Sequence, residues 1–230
     1  MALKDLSASV DLHKSTVHRL LSTLLIKGYV TKDDDTGKYR LTMKLFEISG
    51  RVVDKLNVLS VARPYLNQLA ELTGESVHLA VRDGTMILYI YKEDSSSLSI
   101  RMGSYVGLRN PMYCTGLGKA ILSCLPIEEV KEIWNSTEIK PFTEKTITNI
   151  NELEEELSLI RKRGYAIDDE EHEAGLRCIA TPIKDFSNNP IAAISVSSTV
   201  SRLNNPRIQE LSLKLINVAN KISFLLGGNV

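Results

Sequence analysis

Residues 3–41, LKDLSASVDLHKSTVHRLLSTLLIKGYVTKDDDTGKYRL, constrain the fold more than any other stretch, because their periodicity changes twice within a few dozen residues. Leu3, Leu6 and Val10 recur at helical spacing, and Asp11-Leu12-His13 predicts a turn. A second helix is expected from about Lys14 to Lys27, ending at Gly28, the residue type that most easily takes the left-handed stop. In it Val17, Leu20, Leu21 and Leu24 share one face, whereas Lys14, Ser15, His18 and Ser22 fall on the other. Beyond Gly28, Tyr29–Lys32 and Lys38–Leu41 are strand-like and flank a turn over Asp33–Gly37. Two helices, a turn and a hairpin in that order predict a winged helix-turn-helix.

A free helix face with Lys, Ser, Thr, His and Arg near its N-terminus suits the major groove, where base edges and phosphates both accept such donors. Lys14, Ser15, Thr16, His18 and Arg19 are the candidate groove contacts, and Lys38 and Arg40 on the wing are candidates for phosphate. The formal net charge of the chain is zero, so no global field draws it to nucleic acid. The charge is uneven, however: residues 1–42 hold seven Lys and Arg against five Asp and Glu, and three of those five are the wing-tip residues Asp33, Asp34 and Asp35.

The run Lys14-Ser15-Thr16-Val17-His18-Arg19-Leu20-Leu21, followed by Gly28-Tyr29-Val30 and a short hairpin, resembles the IclR-type bacterial transcriptional regulators. Asp11 stands where that pattern usually has Gly, and Asp tolerates the left-handed region better than most residues. The family pattern also places one more helix ahead of this pair. With Met1 so close to the first helix, the expectation is a DNA-binding segment without that helix, and weak DNA binding as a consequence.

At 230 residues the chain suits a small domain plus a larger one. Cys114, Cys124 and Cys178 are odd in number and form no C-x-x-C pattern, which argues against a disulfide framework or zinc finger and fits a reducing cytoplasm. No stretch has the length of a membrane span, and no signal-peptide core opens the chain, so neither membrane nor export is expected.

Leu45, Ile48, Val52, Leu56 and Leu59 recur at helical spacing across residues 41–60, an amphipathic connector stiffer than a Gly/Ser linker. Pro64 is expected early in the next helix, where its missing N–H costs little, and Tyr65, Leu66, Leu69 and Leu72 carry that helix to Gly74. From Glu75 the period becomes two, with Asp83-Gly84 as a hairpin turn between Ser76–Arg82 and Met86–Tyr91. Leu98–Met102, Arg177–Ile183 and Ile191–Ser198 are further strand candidates. Glu128–Trp134 and Asn151–Arg163 are expected helices, the second stopped by Gly164. A last helix starts near Pro206 with a core-facing stripe of Ile208, Leu211, Leu215, Val218, Ile222 and Leu225.

Strands mixed with segregated helices predict an α+β fold with a mainly antiparallel sheet. The expected organisation is a truncated winged helix-turn-helix over residues 1–42, linker helices over 43–74, and an effector-binding domain over 75–230. The resemblance implies that this last domain is GAF-like and that the subunits pair as a homodimer or homotetramer.

Three stretches could carry chemistry. Asn110–Ile121 puts Cys114, Thr115 and Gly116 just ahead of an apolar helix, either as a carboxylate site at the helix N-terminus or as a structural turn. A phosphate loop is excluded, because Tyr113 and Ala120 stand where that pattern needs Gly and Ser or Thr. Ser195 and Ser197 share one face of an otherwise apolar strand, available to a ligand or to neighbouring backbone. Asp168–Glu173 is a charge run of the kind that usually forms a solvated loop, yet it leads straight into Gly175-Leu176-Arg177-Cys178. The family shares the pattern from Gly164-Tyr165 through Cys178, and the resemblance implies an effector pocket built from Met102, Gly116, Leu117, Asp168, Leu176, Cys178, Ser195 and Ser197.

The rival expectation is a stand-alone sensor, or an enzyme using Cys178 with His78 or His172 and Asp168, at the end of a degenerate DNA-binding segment. No catalytic signature surrounds those residues, and His172 with Cys178 matches no standard zinc spacing. The expectation is therefore a non-enzymatic, cofactor-free regulator whose partners are double-stranded operator DNA and a small carboxylate effector. Arg109–Thr115 and Glu144–Thr148 most resemble the branch of the family that represses hexuronate and pectin catabolism, which implies 2-keto-3-deoxygluconate as that effector.

Overall fold

The computed structural model describes residues 1–53, 57–94 and 103–228, in two units, Met1–Leu56 and Asn57–Val230. The first unit opens with helices α1 (Leu3–Ser9) and α2 (Lys14–Ile26). Asp11 takes φ 50° in the turn between them, and His13 caps α2 by accepting the Ser15 N–H at 3.5 Å. Strands β1 (Val30–Lys32) and β2 (Tyr39–Leu41) pair antiparallel to form the wing. The wing turn is tied by Asp33, whose carboxylate accepts the Thr36 N–H and hydroxyl at 2.8 Å each. Those bonds hold its pKa below the usual carboxylate value.

Val17, Leu21, Val30 and Tyr39 form the core of this unit, with Leu3, Leu6 and Leu25 packed against them. Leu20 and Leu24 do not join it, being 50% and 38% exposed. So small a core covers only one narrow stripe of α2, the i, i+4, i+8 row Val17-Leu21-Leu25, and residues one step round the helix stay in solvent. Helix α3 (Lys44–Val53) follows.

The second unit begins with α4 (Asn57–Thr73). Pro64 lies well inside this helix, not at its start as the sequence suggests. It sits on the exposed side. Ala62, Leu66, Leu69 and Ala70 bury the opposite side, and that packing carries the helix through a residue that cannot donate to the preceding turn.

The sheet comprises β3 (Ser76–Asp83), β4 (Met86–Glu93), β5 (Arg109–Pro111), β6 (Ala166–Asp169), β7 (Leu176–Lys184) and β8 (Pro190–Thr199). Their order is β5-β4-β3-β8-β7-β6, and every pairing is antiparallel. Gly84, at φ 65°, turns β3 into β4 through a two-residue loop. The strand candidate at Leu98–Met102 lies outside the described residues.

Three helices, α5 (Gly116–Leu122), α6 (Ile127–Asn135) and α7 (Ile150–Arg163), build the core on one face of the sheet. Helix α8 (Asn205–Leu225) joins α4 on the other face. Ile208, Leu211, Leu215 and Ile222 of α8 are buried, but Leu225 is more than half exposed. Among the described residues, no helix is long and apolar enough to cross a membrane.

Candidate functional site

Antiparallel register explains how distant residues converge. Asp168 of β6 pairs with Cys178 of β7, Cys178 with Ser197 of β8, and Ser197 with Ser76 of β3. One rung along, Ala166, Ala180, Ser195 and His78 form a second row. Paired residues two apart point to the same side of a sheet, so both rungs face α5. Between them lies a cavity of about 270 Å³. That is close to the lower end of ligand pockets, roughly 300–1,000 Å³, and suits a small metabolite.

Of the residues implied by the sequence, Gly116, Leu117, Asp168, Leu176, Cys178, Ser195 and Ser197 all line this cavity. Met102 lies outside the described residues. The cavity also takes His78, Tyr89, Ser104, Asn110 and Thr115, together with His172, Glu173 and Arg177 from the turn after β6 and the start of β7.

Helix α5 can approach the sheet because it opens on glycine. A Cβ on Gly116 would lie 2.6 Å from the Cys178 Sγ and 3.4 Å from the Ala180 Cβ. Two residues on, a Cβ on Gly118 would lie 2.3 Å from the backbone of Met112. Thr115 caps the helix, accepting the Gly118 N–H at 3.2 Å while its hydroxyl donates to the Pro111 carbonyl at 2.9 Å.

Electrostatics inside the cavity is set by burial. Removal from water, then the nearby Glu171 carboxylate, raises the Asp168 carboxyl to about 7, although it accepts the Glu171 N–H at 2.9 Å. Burial, then the Asp168 carboxyl, pushes the Cys178 thiol up; its neighbours are the Gly116 N–H and the Ser197 hydroxyl. A thiol so placed stays protonated, the opposite of what a nucleophile needs. His172 stacks at a tilt on Phe142, ring centroids 4.9 Å apart, and its pKa is lowered by burial. Among the described residues, no three His, Cys, Asp or Glu side chains are grouped to hold a metal ion.

The charge run at residues 168–173 is not a solvated loop. Its first two residues end β6, and Glu171 turns inward to pair with Lys119, a lysine only 1% exposed on α5. Glu156 of α7 stands 3.8 Å from the same ammonium. Glu171 Oε2 has no hydrogen-bond partner among the described residues, and burial raises the pKa of this carboxyl. The Thr143 and Thr146 hydroxyls donate to the carbonyls of Glu170 and Glu171 at 2.6 Å each, stitching the stretch after α6 to this turn. Arg177 is held by Asp169 at 2.5 Å and donates to the Leu203 carbonyl at 3.0 Å.

In the first unit, Lys14, Ser15, His18, Arg19, Lys38 and Arg40 are exposed and Thr16 is partly buried. Lys14, Ser15, Thr16, His18 and Arg19 lie on α2, Lys38 just precedes β2 and Arg40 lies within it, and Ser15 Oγ lies 2.9 Å from His13 Nδ1, so one candidate contact is also part of the helix cap.

A winged helix-turn-helix on one unit, and on the other an α+β domain with a cavity whose apolar wall carries Asp168, Ser195 and Ser197, define a transcriptional regulator that senses a small molecule. The family description "IclR helix-turn-helix domain" matches residues 1–34, and "Bacterial transcriptional regulator IclR C-terminal" matches residues 50–224. The chain belongs to the IclR family of bacterial transcriptional regulators. It is 40% identical over 227 residues to the HTH-type transcriptional regulator KdgR of Escherichia coli K12, covering 99% of this chain and 86% of that one. It is 34% identical to the transcriptional repressor IclR of the same organism, covering 99% and 84%. The crystal structure of the Thermotoga maritima IclR superposes with a TM-score of 0.81 at 35% identity, covering 99% of this chain and 91% of that chain.

Proposed function

We propose that this chain is a cytoplasmic repressor of a carbohydrate or organic-acid catabolic operon, released from operator DNA by a small hydroxylated keto acid of the 2-keto-3-deoxygluconate type. Residues 1–42 serve as the DNA-binding domain, 43–74 as linker helices and 75–230 as the effector-binding domain. Lys14, Ser15, Thr16, His18 and Arg19 contact the major groove, and Lys38 and Arg40 contact phosphate. A homodimer or homotetramer presents two such surfaces to a palindromic site. Exposed apolar side chains such as Leu41 and Met43, more than 70% accessible, support pairing through the end of the wing and the residues that follow it.

The observation that carries this reading is the cavity over the two rungs. Hydroxyls from Ser195 and Ser197, the Gly116 N–H and the Asp168 carboxyl converge there, and Leu117 and Leu176 supply apolar wall. A keto acid with several hydroxyls offers an oxygen to each donor. Similarity to the HTH-type transcriptional regulator KdgR over nearly the whole chain supports the reading as a DNA-binding regulator.

A gel-shift titration on the protein's own upstream region tests it. Salt-sensitive, sequence-selective retardation is expected, reversed by 2-keto-3-deoxygluconate. Retardation released only by an aromatic acid overturns the effector, and no selective retardation at low salt overturns the repressor.

A further inference from the structure

His78 is the cavity residue that neither the motifs nor the proposed function uses, and both of its ring nitrogens face hydroxyls. The ring is 2% exposed. Tyr89 stands edge-on to it, with centroids 5.5 Å apart and planes at 74°. Nε2 lies 2.9 Å from the Ser104 Oγ, and the Lys92 ammonium donates to the Ser104 carbonyl at 2.8 Å. On the other side, Nδ1 lies 3.4 Å from the Ser195 Oγ and 3.5 Å from the Ser197 Oγ.

Those distances differ in kind. The Nε2 contact has ordinary hydrogen-bond length, whereas both Nδ1 contacts lie at the long limit. Burial, then the Lys92 charge, lowers the imidazole to about 4, so the ring is neutral and carries one N–H and one lone pair. Whichever tautomer is present, Nδ1 completes one strong hydrogen bond at most, yet it faces two hydroxyls. One hydroxyl of the β8 pair is therefore held only by a long contact to the ring, with Ser197 sharing its hydroxyl with the Cys178 thiol, and an incoming oxygen replaces that long contact with a bond of ordinary length. The short bond to Ser104, itself clamped by Lys92, keeps the ring from turning to follow the ligand.

We propose that His78 is a positioning residue that presents the Ser195 and Ser197 hydroxyls to the effector, and so selects acids bearing further hydroxyl oxygens over short acids without them. The inference rests on reading the cavity as the effector site, and the test separates the two.

Calorimetry on the full chain, with 2-keto-3-deoxygluconate and pyruvate as probes, compares wild type with His78→Leu, His78→Asn and His78→Gln. Asn places its amide near the position of Nδ1, whereas Gln reaches toward that of Nε2. His78→Leu is expected to weaken the hydroxylated acid by about fivefold to tenfold, the scale of one lost buried hydrogen bond, and to leave pyruvate within about twofold. His78→Asn should restore most of the preference and His78→Gln should not. A wild-type preference that survives in His78→Leu, or an equal loss of both acids, overturns the role of His78 alone. If His78→Leu fails to fold, equal preference ratios in the Asn and Gln variants overturn it. A wild-type chain that binds neither acid overturns the effector reading, and this inference with it.

Discussion

The two units place their candidate functional groups on opposite sides of their cores. In the first, Val17, Leu21, Val30 and Tyr39 bury the inner side of α2 and the wing, while Lys14, Arg19, Lys38 and Arg40 project into water. In the second, a six-stranded sheet is covered on both faces, and Asp168, Cys178, Ser195 and His78 lie on the inner one. The difference follows from what each would bind. A polyanion is met by long, solvated cations whose exact placement matters little for affinity, so a thin core that holds one helix and one hairpin suffices. A small neutral or singly charged molecule is recognised only by polar groups already stripped of water, and a thick core is needed to offset their desolvation. The buried Lys119–Glu171 pair belongs to the second strategy.

If the comparison is right, the largest effect comes from disturbing the packing of the second unit. Gly118→Ala drives a methyl group into the Met112 backbone, which cannot give way as a side-chain tip could. About 3 kcal/mol of stability should be lost in a urea titration of the full chain, the upper part of the usual range for overpacking. A loss below about 0.5 kcal/mol, the scale of an ordinary surface change, would mean that α5 is not seated on the sheet as described. The first unit should respond differently. Arg19→Ala should cost operator affinity about 1–3 kcal/mol by gel shift, with stability and effector binding unchanged. A matching fall in effector affinity would break the separation of the two surfaces.

What the residue pattern reveals of each unit follows the same division. The helices, the wing and the β3–β4 hairpin were legible because period, Gly stops and an Asp-Gly turn all act locally. Strands β5 and β6 were not, since Arg109–Pro111 and Ala166–Asp169 are short and polar and acquire strand geometry only from their neighbours. The cavity residues Gly116, Leu117, Asp168, Leu176, Cys178, Ser195 and Ser197 came from resemblance to a family pattern, because period alone cannot show which strands pair or in which register. His78 and Lys119 carried a usable signal: a polar side chain inside a run that is otherwise buried must find a partner. The charge run at residues 168–173 misleads for the converse reason, as one of its glutamates is neutralised by a lysine fifty-two positions away in sequence.

A pH titration probes the buried side more gently. Asp168 has its carboxyl raised to about 7, so it is mostly protonated below that pH and ionised above it. A neutral carboxyl can donate to an effector carboxylate, whereas an ionised one repels it. Affinity for a carboxylate effector should therefore fall as pH rises through 7, by about tenfold between pH 6 and pH 8, as expected for a single proton linked to binding. In Asp168→Asn the fall should disappear. A flat profile in the wild type would remove Asp168 from contact with the charge.

The smallest effect distinguishes the two hydroxyls of β8, and it follows from what each loses when truncated. Ser195→Ala removes a hydroxyl whose neighbour in the cavity wall is His78 Nδ1 at 3.4 Å. Ser197 faces both that nitrogen at 3.5 Å and the Cys178 thiol, so its hydroxyl has a second claim on it before any ligand arrives. A hydroxyl that gives up a partner to bind a ligand contributes less net free energy than one that does not. Ser195→Ala should therefore weaken 2-keto-3-deoxygluconate by about 1 kcal/mol in a calorimetric titration, and Ser197→Ala by less. The reverse order would mean that the ligand sits over the rung of Asp168 and Cys178, and not over the rung that holds His78. Neither substitution should alter operator affinity in the absence of effector, because both side chains lie within the second unit.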